Sequence, residues 1–169
     1  MDKILELVLY IADQSVDDPG FGMVKLNKIL FNADFTYWGQ HRRSISGADY
    51  QHEKNGPVVR QMKPLLTEHE MKDFIIKVVK KGPYAQKRLI TLRLADLSGF
   101  TAEEISYVDQ SINILRGYSA TQVSDVSHDF PGWKLTRDGE PIPYETMLIS
   151  EAPLSEEEAQ VRVELVEAV

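Results

Sequence analysis

His41, His52, His69 and His128 have the widest chemical range in this chain. An imidazole can bind a metal, move a proton or carry charge near neutral pH. Their separations of eleven, seventeen and fifty-nine residues match no local ligand pattern, so no metal site is expected. His69-Glu70 lacks the second histidine of a metalloprotease helix. Ser127-His128-Asp129 sets a hydroxyl, an imidazole and a carboxylate side by side, but neighbours in sequence are not a triad. A general base also needs a substrate pocket and a nucleophile in reach. The simpler role for His128 is structural. It should cap a short helix or bond a backbone carbonyl, with Trp133 packed beside it. The competing reading makes the His128 and Trp133 region a ligand pocket.

Lys25 and Lys28 lie three residues apart, on adjacent parts of one helix face. They are either a solvated flank or the rim of a site for an acidic or phosphate-bearing partner. The glycines are isolated and no Gly-rich turn precedes a Lys-Ser/Thr pair, so no phosphate-binding loop or cofactor is expected. Phe31 and Phe35 share a face at i, i+4 and read as core. Tyr37 and Trp38 cannot both join them, so at least one should be partly exposed, a candidate interface anchor. His41-Arg42-Arg43 adds positive charge where that helix should end.

The elements that must position these groups are mostly helices. Ile4, Leu7, Val8 and Ile11 give a helix over 3–14, ended by Asp17-Asp18-Pro19-Gly20. A second helix runs from Met23 to about Trp38, with Leu26, Ile29, Leu30, Ala33 and Tyr37 as its apolar stripe. Residues 50–54 alternate and suggest a short strand. Gly56-Pro57 should turn the chain directly into a helix over 57–70, kinked or stopped early by Pro64. Residues 73–80 and 87–95 read as a β-hairpin joined across Gly82-Pro83. Thr101 with Glu104, Ser119 with Gln122 and Ser155 with Glu158 are capping boxes, opening helices over 102–116, 120–128 and the C-terminal stretch. Ile29, Leu30, Ile105, Val108 and Ile112 should share one core. The resulting class is α+β: mainly α-helical, one domain, with a small antiparallel sheet around 73–95.

A chain of 169 residues can bury a substantial core, and 43% apolar with 27% charged residues is a globular balance. The net charge of −7 argues against nonspecific nucleic-acid binding, which needs clustered Lys and Arg. The acids concentrate at the end, in Glu151, Glu156, Glu157, Glu158, Glu164 and Glu167, leaving a nearly neutral body with room for a local basic face. The absence of cysteine excludes disulfides, zinc–thiolate sites and cysteine nucleophiles. No apolar run reaches the roughly 20 residues of a membrane span, and Met1-Asp2-Lys3-Ile4-Leu5 lacks a signal-peptide pattern. A cytoplasmic location is the expectation.

Four segments carry a family resemblance. Lys25-Leu26-Asn27-Lys28-Ile29-Leu30-Phe31, Gly56-Pro57-Val58-Val59, Phe100-Thr101-Ala102-Glu103-Glu104, and Ser127-His128 with Trp133 and Ile142-Pro143-Tyr144 together resemble the Panacea domain of SocA-like antitoxins and phage-associated proteins. The resemblance spans residues 1–148 and leaves 149–169 as an acidic helical extension. It implies a protein-binding antitoxin that neutralises a cognate toxin by direct contact, or an adaptor delivering it to an energy-dependent protease. No catalytic residue and no cofactor come with it. Lys25, Lys28, Trp38 and Arg42 are then the candidate partner-binding residues, and Gly56, Pro57, His128 and Trp133 the structural motif. Two alternatives stand beside it: a small enzyme or nucleotide-responsive protein using the His128 and Trp133 region, and a phage or mobile-element accessory protein.

Overall fold

The computed structural model describes residues 1–151 and 155–167. Helix α1 (Lys3–Gln14) starts where the Asp2 carboxylate accepts from the backbone N–H groups of Ile4 and Leu5, at 3.0 and 3.2 Å. That satisfies two donors of the first turn, which have no intrahelical acceptor. The expected stripe of Ile4, Leu7, Val8 and Ile11 is buried, and so are Leu5, Leu9 and Ala12. The stripe is wider than its periodicity suggests because α1 packs against α2 (Met23–His41), α4 (Ala102–Leu115) and strand β4 (Tyr84–Thr91).

Helix α2 is the axis of the molecule. Its stripe of Leu26, Ile29, Leu30, Ala33 and Tyr37 is buried, as are Phe31 and Phe35 on another side. It runs one turn past Trp38 and ends at Arg42, whose left-handed backbone (φ 57°) lets its N–H bond the Trp38 carbonyl at 2.8 Å.

The Gly56-Pro57 corner departs from expectation. It leads into strand β2 (Val58–Val59), and helix α3 begins only at Met62 and runs to His69. Two side chains of α2 take up the backbone groups a helix would have used. Lys28 Nζ donates to the Pro57 carbonyl at 2.9 Å, and the Asn27 side-chain oxygen accepts from Val59 N–H at 3.0 Å. β2 then pairs antiparallel with β1 (Tyr50–Gln51). The other edge of this strand is held by His52 N–H to the Glu140 carbonyl and Ile142 N–H to the Tyr50 carbonyl, both at 2.9 Å. The expected strand over 50–54 therefore stops at Gln51, in a ladder closed from both sides. Pro64 is the third residue of α3, within a first turn whose N–H groups need no intrahelical partner, so it neither kinks nor stops the helix.

The hairpin is present as β3 (Phe74–Lys81) and β4, in register from Phe74 opposite Thr91 to Lys81 opposite Tyr84. Its turn is shorter than the expected 81–86 connection: Gly82 has φ 58°, the left-handed conformation a two-residue hairpin turn needs. β4 ends at Thr91, because Arg93 is drawn away to Glu6 (2.8 and 2.7 Å) and Asp73 (2.5 Å).

Both first capping boxes form reciprocally, Thr101 with Glu104 opening α4 and Ser119 with Gln122 opening α5 (Ala120–His128). The third precedes α7 (Glu156–Glu167), but the Glu158 side chain lies outside the described residues. Between α5 and α7 come the short α6 (Pro131–Lys134) and a 3-10 helix, Tyr144–Leu148. Ile29, Leu30, Val108 and Ile112 sit in one buried cluster, whereas Ile105 is only half-buried at its edge. The molecule is α+β and mainly helical, with two small antiparallel two-stranded sheets among the described residues. Among those residues no helix is long and apolar enough to cross a membrane.

Candidate functional site

Three features converge on α2: two buried lysines, an aromatic corner and a basic aromatic end. Lys25 and Lys28 are not a solvated flank. Their relative exposures are 0% and 3%. The reason lies outside the helix, in the segments that close over it. The 17–20 turn brings Asp18 to Lys25 Nζ at 2.7 Å, and Gly20 N–H bonds the same carboxylate at 2.8 Å. Residues 55–57 cover Lys28, whose ammonium reaches the Pro57 carbonyl and, among the described residues, forms no ion pair. Burial pulls its pKa down to about 8.

Gly56 fits between these parts because it has no side chain. It has φ +93°, and a Cβ there would stand 2.1 Å from Ser127 Oγ and 3.0 Å from Lys28 Nζ. Lys28 and Ser127 thus meet across the Gly56-Pro57 corner. Ser127 Oγ donates to the Ser124 carbonyl at 2.7 Å, one turn back in its own helix, and Asp129 is exposed.

The aromatic corner comes next. The His128 ring stacks on Trp133 with centroids 4.0 Å apart, and His52 stacks on Trp133 at 4.3 Å. Trp133 Nε1–H donates to the Glu53 carbonyl at 3.1 Å. The packing expected of His128 and Trp133 is therefore present, but the carbonyl bond belongs to His52, whose Nδ1 lies 3.0 Å from the Trp133 carbonyl. His128 Nε2 is buried with no hydrogen-bond partner among the described residues. The other histidines are elsewhere: His41 stacks on Tyr37 at 4.1 Å and His69 Nδ1 bonds Asp73 at 2.7 Å. Among the described residues no three His, Cys, Asp or Glu side chains gather as metal ligands.

At the far end of α2, Trp38 is half-buried while Tyr37 is fully buried, as the crowding argument required. Trp38 stacks on Tyr144 at 6.2 Å, and the Arg42 guanidinium lies 5.1 Å from its ring centre. Arg42 also donates to the Gly39 carbonyl at 2.6 Å, so its charge is held against the helix end. Trp38 and Arg42 form one patch; Lys25 and Lys28 do not belong to it.

Sequence reasoning missed Asp34. This fully buried carboxylate accepts from Ile45 and Ser46 N–H at 2.9 Å, from Tyr50 OH at 2.7 Å and from the Ser46 hydroxyl. Burial pushes its pKa up, and the hydrogen bonds pull it partly back. The sign to look for was an acid at a core-facing position, one residue after Ala33 and three before Tyr37. Asp34 fixes the 45–50 segment against α2 and so sets where β1 begins.

The residues from Leu26 through Lys134 contain the Lys28 contact to the corner, Asp34 and the Trp133 stack, whereas the Lys25–Asp18 pair lies before them. Neither a curated protein nor a solved structure gives a significant match to the chain. Residues 26–134 match the family described as "Antitoxin SocA-like, Panacea domain", and the match covers more than half of the sequence. The chain belongs to this SocA-like antitoxin family.

Proposed function

We propose that this protein neutralises a cognate toxin by direct contact and acts by binding rather than by catalysis. The family match over residues 26–134 carries the reading, since antitoxin is the family's description. The face that best suits a partner is the C-terminal end of α2. A half-buried tryptophan under a guanidinium offers a flat apolar anchor with a positive rim. Large aromatics and arginines supply most hot-spot energy in interfaces, while charges steer association. Leu148, the last residue of the 3-10 helix that packs on α2, and Ile149 after it are exposed at 54% and 42% and add apolar surface. Delivery of the captured toxin to an energy-dependent protease is a further step of the same reading.

Co-expression with the product of the neighbouring gene tests it, scored by growth rescue and co-purification. Capture should weaken by about 2 kcal/mol or more in Trp38→Ala, the scale of an interface hot spot. Arg42→Glu should slow association, most at low salt. Both variants should keep a cooperative melt. Capture that survives both substitutions moves the interface off this face, and a toxic neighbour that is neither bound nor neutralised refutes the antitoxin role.

A further inference from the structure

Of the two buried lysines, one has its counter-ion inside the chain and the other does not. Lys25 is neutralised by Asp18. Lys28 has three donors and one neutral acceptor, the Pro57 carbonyl. Burying an ammonium without an anion is costly, and proteins ordinarily pair such a charge. Lys28 is not sealed in, however. It lines a hollow of about 340 Å³ with Met23, Val24, Asn27, Lys54 and Asn55.

The geometry points to this hollow as a receptor for one carboxylate side chain of a partner protein, paired with Lys28. The lining selects that chemistry. Met23, Val24 and Val58 offer apolar contact for a methylene stem, and Lys54 adds a second positive charge to the lining. A phosphate is a poorer fit. It wants several converging donors, whereas Lys28 is the one buried cation of the lining, Lys54 is exposed to solvent, and Glu53, which also lines the hollow, disfavours a dianion more than a single carboxylate. The Asn27 amide is already committed, its oxygen to Val59 N–H and its nitrogen to the Met23 carbonyl, so Lys28 is the dominant fixed recognition group. A glutamate of the toxin is the occupant this arrangement fits, so the inference rests on the antitoxin reading and names the chemistry of the contact.

The test needs no toxin. The full chain is titrated with acetyl-Ala-Glu-Ala-amide, with its Gln analogue, with acetate and with inorganic phosphate, at constant ionic strength. The Lys28 side-chain NMR signals report occupancy. The Glu peptide should shift them saturably, and the Gln analogue should bind at least tenfold more weakly. Lys28→Met should abolish the effect on the surrounding signals. Lys28→Gln, which keeps a donor for the Pro57 carbonyl, should do the same and serves if Lys28→Met does not fold. No shift with the Glu peptide, or equal binding by either variant, overturns the inference. Acetate binding as tightly as the peptide, or phosphate binding more tightly, also overturns it, assigning the hollow to a small free anion. A failed toxin capture leaves this titration unaffected, so the two readings fail separately.

Discussion

Lys25 and Lys28 have the same side chain, less than one helical turn apart, and opposite electrostatic fates. The pair Lys25–Asp18 is satisfied internally. Lys28 is held in the folded state with its pKa down at about 8, below the ordinary lysine value, because burial disfavours the charge. The sign of the pH effect follows. Between about 8 and 10.5 the unfolded chain binds the proton and the folded chain does not, so Lys28 contributes stability that grows as pH rises through that window. Denaturation from pH 7 to 10 should show the wild type gaining on Lys28→Met. A constant difference would mean that the ammonium finds an anion in the folded chain. Asp34 carries the opposite hazard. Asp34→Asn can keep an oxygen on the Ile45 and Ser46 N–H groups but turns its NH2 toward the Ser46 and Tyr50 hydroxyls that donate to the carboxylate, and should cost about 1–3 kcal/mol, as for an unsatisfied buried group. Urea titration measures it. Neither fate was legible in the sequence, since spacing gives the face of a helix and not what folds over it. The 17–20 segment, read only as a helix breaker, and the 55–57 segment, read as the entry to a helix, are what bury these lysines.

At the scale of elements, local chemistry was legible wherever it was self-contained. Thr101 with Glu104 and Ser119 with Gln122 close as boxes because each needs only four consecutive residues. The hairpin was legible from its period of two and its Gly-Pro turn. The Gly56-Pro57 corner was not, because a proline that suits a first helical turn suits an extended entry equally well. Asn27 and Lys28, some thirty residues upstream, decide between them. Gly56→Ala tests that coupling. It forces a left-handed backbone on a residue with a Cβ, costing about 1–2 kcal/mol, and it collides with Ser127. Its melt should therefore fall further than that of Gly47→Ala, where φ is +74° but nothing lies within 4 Å of the added carbon. Within α4, Ile112→Ala should cost about 2–5 kcal/mol, the usual range for emptying a packed site. The same change at half-buried Ile105 should cost less.

For the whole molecule, the question is which parts stand or fall together. The family match begins at Leu26, yet α1 supplies seven buried apolar residues to the core and its Glu6 receives Arg93 and Asp96 N–H from beyond the hairpin. These contacts tie α1 to the rest of the folding unit. The other end differs. The pair Lys134–Glu151 at 3.1 Å is exposed, and such a pair is worth about 0–1 kcal/mol. A chain ending at residue 148 should melt within a few degrees of the full one, whereas one starting at residue 15 should not fold. A large loss on removing 149–169 would show that the acidic extension is part of the fold. The order of helices and the core face of α2 could be read from periodicity. The way the last third returns to the first could not, because pairings such as Ile142 with Tyr50 and Tyr144 OH with the Ala48 carbonyl leave no periodic trace.

That return sets a timetable for synthesis. β1 is clasped on one edge by residues 139–142, and Trp133 closes over His52 only from the C-terminal side. A nascent chain that has exposed α1, α2 and the hairpin still lacks one wall around Tyr50 and Phe35, whose aromatic neighbours include Phe130 and Tyr144. Contacts so distant in sequence form late and leave apolar surface open in the interval. Pauses in translation before codon 130 should thus leave a protease-sensitive intermediate, and the time needed to make residues 130–144 bounds how soon a freshly made molecule is ready to act.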